Sequence, residues 1–181
     1  MNGAAIVNIA GHLPEMARRR PDAPAIIFPR EGRRLTFREL DTLSDRIAHG
    51  LVSYGIGRGA RTVLMVTPGP EFFALTFALF KVGAVPVLID PGLGVKNLKK
   101  CMTEAEPQAF IGIPRAHVAR LLFGWGKETL STFITVGRRL FWEGTTLARL
   151  IEAQPLRPFL PAPTERDDVA AILFTSGSTG P

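Results

Sequence analysis

Six consecutive residues carry most of the chemical information in this chain. Thr175-Ser176-Gly177-Ser178-Thr179-Gly180 sets four hydroxyls and two glycines directly after the apolar run Val169–Phe174. Glycines let the backbone turn tightly and bring its N–H groups close to a ligand. Hydroxyls donate to non-bridging phosphate oxygens. A concave set of such donors suits a polyanion. Ser/Gly runs are also the material of flexible linkers, and composition alone leaves both readings open. The buried-type strand feeding the loop favours the phosphate site. A Walker-type loop would close with Gly-Lys-Ser/Thr; Gly180 is followed by Pro181, so that variant is excluded.

The other eye-catching side chains read as structural. His12, His49 and His117 lie far apart, with no Cys or carboxylate at ligand spacing. Cys101 is the sole cysteine, so no intrachain disulfide forms. It sits in a helical stretch as core filler, and a reducing, cytoplasmic setting fits. Phe72, Phe73, Phe77 and Phe80 recur at helical spacing, as core rather than an acyl tunnel. Leu121-Leu122-Phe123-Gly124-Trp125 reads as a buried helix end rather than a membrane or partner contact.

Strands and helices alternate around these residues. Residues 6–20 are expected to form an amphipathic helix that stops before Pro21. Short strands follow at Ala25–Phe28 and Arg33–Leu35. Thr36-Phe37-Arg38-Glu39 is a capping box, and Phe37, Leu40, Leu43, Ile47 and Leu51 form one buried helical face ending at Gly55. Strands are expected at Val63–Val66, Val85–Ile89, Ala109–Ile113 and Phe133–Val136. Helices are expected from Pro70 to the Gly83 stop, at Val95–Glu104 and at Arg115–Phe123; the first of these is apolar on nearly every side. Residues 137–168 are least regular, with a possible helix at Thr145–Ala153 and a Pro-rich connector at 155–163. Val169–Phe174 is the final buried strand. Six strands separated by helices predict an α/β fold, a mostly parallel sheet with helices on both faces.

Bulk properties fit this picture. The chain has 181 residues, enough for one core, with 46% hydrophobic residues and a net charge of +6. The basic residues are scattered, without an aromatic-interleaved stripe, so nucleic acid is not an expected partner. No apolar run approaches the roughly 20 residues that span a bilayer. The chain does not open on a basic patch followed by an apolar stretch, so no signal peptide is expected.

The segment Asp167-Asp168-Val169-Ala170-Ala171-Ile172-Leu173-Phe174-Thr175-Ser176-Gly177-Ser178-Thr179-Gly180-Pro181 resembles the core signature of the adenylate-forming superfamily, which normally continues with Lys-Gly. Leu35-Thr36-Phe37-Arg38-Glu39-Leu40 resembles its Leu-Thr-Tyr-x-Glu-Leu element. Lys81-Val82-Gly83-Ala84 with Asp90-Pro91 resembles its Lys-x-Gly-Ala segment and the following Asp-Pro. Within that superfamily, strings such as Gly57-Arg58-Gly59-Ala60-Arg61, Pro70-Glu71-Phe72-Phe73 and Pro107–Pro114 are most similar to olefin β-lactone synthetases of bacterial long-chain hydrocarbon biosynthesis. Ala60 departs from a common Asp, Pro68-Gly69 from a common Asn-Ser, and Ser178 from the commoner Thr.

The resemblance implies that residues 1–181 are the N-terminal part of an AMP-binding domain ending in its phosphate loop. Thr175, Ser176, Gly177, Ser178, Thr179 and Gly180 would hold the β- and γ-phosphates of ATP, with Mg²⁺ bridging phosphate oxygens. A small-molecule carboxylic acid, specifically a long-chain 3-hydroxy acid, would be activated as acyl-adenylate and then close to a β-lactone. A ligase using coenzyme A is the alternative, and a non-catalytic nucleotide-binding module is the alternative of another class. Other olefin-biosynthesis enzymes are implied partners. No catalytic or metal-ligating residue is expected within these 181 residues, and the piece alone is expected not to turn over.

Overall fold

The computed structural model describes residues 7–29 and 32–175. Helix α1 runs over His12–Arg19 rather than from residue 6. Before it, the Asn8 side chain accepts the Ala10 N–H at 2.9 Å and caps a single 3-10 turn, Ile9–Gly11, which delays the α-helix. Strands β1 (Pro24–Phe28) and β2 (Arg33–Thr36) form a separate antiparallel pair. They lead into α2 (Phe37–Ser53), whose capping box is present as expected. The Glu39 N–H donates to Thr36 Oγ1 at 3.2 Å, and the Thr36 N–H donates to Glu39 Oε2 at 2.8 Å. The backbone and hydroxyl of Thr36 hold the Glu39 carboxyl below its ordinary pKa.

The second sheet is wholly parallel. Its strands are β3 (Arg61–Met65), β4 (Val85–Ile89), β5 (Ala109–Gly112), β6 (Thr132–Thr135), β7 (Thr145–Thr146) and β8 (Ile172–Phe174). The order is β7-β6-β5-β3-β4-β8. The crossover helices are α3 (Pro70–Lys81), α4 (Val95–Ala105) and α5 (Pro114–Phe123), while α6 (Leu147–Glu152) follows β7.

Strand alternation sorts the core into two layers. Leu64, Ile111 and Ile134 face α2 and α3, where Leu40, Ile47, Leu51, Leu75 and Leu79 are buried. Val63, Val87, Phe110 and Phe133 face the other way, against Leu98, Met102 and Trp125. Helices on both faces are therefore realised, and α3 is enclosed on nearly all sides, with Glu71 as its exposed residue. Cys101 is buried in the second layer as filler, and burial raises its thiol pKa.

Three expectations are corrected. The last strand covers Ile172–Phe174 rather than starting at residue 169, and it is not fully buried. It lies at the sheet edge and pairs with β4, so Ile172 and Phe174 reach the core while Leu173 is 65% exposed. Thr145-Thr146 is a short parallel strand beside β6, and Thr146 then caps α6, whose Arg149 N–H donates to its Oγ1. The residues Leu121, Leu122 and Phe123 are exposed, while Trp125 is buried. Gly124, at φ +64, ends α5 there and turns the chain away before those side chains can be covered.

Candidate functional site

In open parallel sheets, ligands bind beyond the carboxyl ends of the strands, where the direction of winding reverses. Here the chain passes from β3 to β4 on one side and then returns to β5 on the other. A groove of about 680 Å³ lies at these ends. It is lined by Met65, Val66, Thr67 and Pro68 after β3, Ile89 and Asp90 after β4, Ile113 and Arg115 after β5, and Phe174 and Thr175 at β8. Phe72, Leu98, Ala116, Ala119 and Trp125 complete its apolar wall.

Pairing of β4 with β8 explains how two distant motifs meet. Ile89 is opposite Phe174, and the Asp90 N–H donates to the Phe174 carbonyl at 3.2 Å. The Asp90-Pro91 corner therefore stands beside Thr175. Asp90 Oδ1 accepts the Gly92 N–H at 2.8 Å, which fixes the corner as a local side-chain turn. Thr175 is exposed at the groove. Of the six loop residues expected to hold phosphates, Thr175 is the one described; Ser176, Gly177, Ser178, Thr179 and Gly180 lie outside the described residues.

The chemistry of the groove is that of an amphipathic ligand. Its walls are apolar, with one carboxylate, Asp90, and one guanidinium, Arg115, among the lining side chains. Arg115 sits in the first turn of α5, whose leading N–H groups carry the positive end of the helix dipole. The described residues contain no cluster of three or more His, Cys, Asp or Glu suited to a metal ion. Sequence reasoning did not single out Arg115 or Trp125 for this groove. Neither carries a motif; α5 and the turn after it place them, and the strand order sets them across the groove from Thr175. Phe72 was expected in the core, and it both packs there and lines the groove.

The histidines take structural positions among the described residues. His117 is buried, its Nε2–H donates to the Ile134 carbonyl at 3.1 Å, and its ring stacks on Trp142 at 5.2 Å. Burial, with a smaller push from the Arg120 charge, lowers its pKa to about 4. His49 packs edge-on against Phe159. Sequence reasoning met Lys81 only as part of a resembling string. It is 0% exposed and is held by Asp41 at 2.6 Å and Asp45 at 2.5 Å, which locks α3 onto α2. Burial raises the Asp45 pKa against the opposing pull of Lys81. The sequence signal was there: two aspartates four apart on α2 flank its apolar stripe.

Comparison with known proteins places this geometry among related chains. The family model described as "AMP-binding enzyme" matches residues 13–181. An olefin β-lactone synthetase of Stenotrophomonas maltophilia is 56% identical over 96% of this chain. One of Xanthomonas campestris pv. campestris is 53% identical over 97%. The chain spans 33% of the length of each of these relatives. Among solved structures, an anthranilate CoA ligase in complex with anthranoyl-AMP superposes with a TM-score of 0.84 at 19% identity, covering 97% of this chain and 33% of that one.

Proposed function

Because this chain belongs to the AMP-binding enzyme family, we propose that residues 1–181 form the front of an adenylation domain that activates a long-chain 3-hydroxy acid and closes it to a β-lactone. The observation that carries this reading is identity above one half to two olefin β-lactone synthetases along nearly the whole chain. The apolar groove at the strand ends agrees with a long acyl substrate.

In this reading a carboxylate oxygen attacks the α-phosphorus of ATP, pyrophosphate leaves, and an acyl-adenylate remains. The substrate's own β-hydroxyl then attacks the acyl carbon, its proton is lost, and AMP leaves. Such displacement is governed by positioning and charge stabilisation. Thr175, Ser176, Gly177, Ser178, Thr179 and Gly180 would supply hydroxyl and N–H donors to the β- and γ-phosphates. Mg²⁺ would offset the charge of the triphosphate. The acyl chain would lie along Met65, Phe72 and Ala119, with Arg115 at the polar end.

The test uses the complete protein with ATP, Mg²⁺ and long-chain 3-hydroxy acids. Pyrophosphate should appear only when acid is present, at a rate indifferent to coenzyme A, with a product lighter than the acid by one water. A requirement for coenzyme A and a thioester product would replace lactone closure with a ligase. Absence of pyrophosphate release with any carboxylic acid would leave a nucleotide-binding module in its place. Thr175→Val in the same protein should raise the KM for ATP about tenfold, the effect of one lost hydrogen bond to a charged oxygen, with folding unchanged because the residue is exposed.

A further inference from the structure

A second groove, of about 740 Å³, opens on the far side of Trp125, between the end of α5 and the segment 138–143. Two features set it apart. One is a cation with no carboxylate in contact among the described residues. Arg120 is only 9% exposed and forms part of the wall, yet among the described residues its buried Nε has no hydrogen-bond partner and it makes no ion pair. It rests on the Phe133 ring at 4.1 Å. Glu143, the one carboxylate in the wall, acts on it through space without contact. A buried charge is normally paired, because its desolvation costs several kcal/mol. The other feature is apolar tips. Leu122 is 73% exposed and Phe141 79% exposed, and Val118, Leu121, Phe123 and Leu140 also meet solvent. Val118, Leu121 and Leu122 share one face of α5 at three- and four-residue spacing.

We infer that this surface is a docking site for an anionic phospholipid bilayer, with the lipid phosphate at Arg120 and Lys127 and with Leu122 and Phe141 entering the acyl layer. The groove has the chemistry of a single anionic head group with an apolar tail. Leu122 and Phe141 line the groove and are also among its most exposed apolar side chains; with Val118 and Leu140 they form an apolar rim that a planar apolar phase covers together with the groove. Charge agrees with an anionic surface. Residues 120–143 carry four cations, Arg120, Lys127, Arg138 and Arg139, against the carboxylates of Glu128 and Glu143. The buried Trp125 and Trp142 line the groove beneath these side chains. No described helix is long and apolar enough to cross a membrane.

The test is flotation of the complete protein with vesicles of phosphatidylcholine, alone or mixed with phosphatidylglycerol. Binding is expected to the mixed vesicles and to weaken at least about tenfold in the double variant Leu122→Asp/Phe141→Asp. Both residues are exposed, so the variant should keep its Tm; Leu122→Gln alone, with a smaller loss, serves if it does not. Arg120→Gln should reduce the preference for phosphatidylglycerol while leaving weak apolar binding. Failure to float with either vesicle, or flotation unchanged by the double variant, overturns the inference. Equal binding to both vesicle types overturns the head-group assignment. Vesicle indifference together with a change of oligomeric mass in the double variant would make the surface a protein interface instead.

Discussion

His117 shows how a side chain with catalytic chemistry is spent on the fold. Its donor is committed to the Ile134 carbonyl, and its faces meet Phe110 edge-on at 5.0 Å and Trp142 in a stack. Its pKa of about 4 lies below the ordinary 6.5. Between those two values the unfolded chain holds a proton that the native state does not, so stability rises with pH through that window. The contribution is complete above pH 6.5 and is lost as pH falls toward 4, with a limit on the order of 3 kcal/mol. Urea unfolding at several pH values should show a steeper slope across this window for wild type than for His117→Gln. Parallel slopes would mean that the ring is not held neutral by burial. The Asp41–Lys81–Asp45 cluster is a second case: a buried lysine whose two partners leave no charge free for substrate.

At the level of elements, two turns are held by different physics, and their costs should differ. Thr36→Ala removes the hydroxyl that accepts the Glu39 N–H and should cost about 1 kcal/mol. Gly144 has φ +100, and a Cβ there would lie 2.2 Å from the Phe133 carbonyl oxygen. Because that neighbour is backbone of β6, Gly144→Ala must move β7 off the sheet, at a cost of about 2 kcal/mol or more. Chemical denaturation of the two variants should rank them in that order; a Gly144→Ala variant as stable as wild type would show that β7 is dispensable. The same elements mark where sequence reasoning stopped. The capping box, the α2 stripe and the apolar α3 were legible because spacing alone encodes them. The strand Thr145-Thr146 was not, since two residues have no periodicity and their pairing with Ile134 and Thr135 is a tertiary fact. Leu173 misled for a related reason: an unbroken apolar run reads as buried on both faces, and only the strand order shows that β8 is at the edge. Of the six residues that composition singled out, Thr175 is the one described, and it lines the groove; Arg115, Ala119 and Trp125 join it there through strand order.

At the scale of the whole molecule, that edge has a consequence for solution behaviour. β8 pairs with β4 on one side, and among the described residues no strand takes its other side. An edge strand is normally protected by a charge, a proline or a bulge. Ile172-Leu173-Phe174 carries neither a charge nor a proline, and Leu173 lies in solvent. The apolar groove adjoins the same edge through Leu88, Leu173 and Phe174. An exposed apolar strand next to an apolar groove favours pairing between copies over isolation in water. The 181-residue polypeptide should therefore self-associate with rising concentration, as read by size-exclusion chromatography with light scattering. Leu173→Lys, which places a charge on the open edge, should shift the distribution toward monomer. A wild-type polypeptide that stays monomeric at high concentration contradicts this, and association relieved by Leu122→Asp but not by Leu173→Lys would move the contact from β8 to the end of α5.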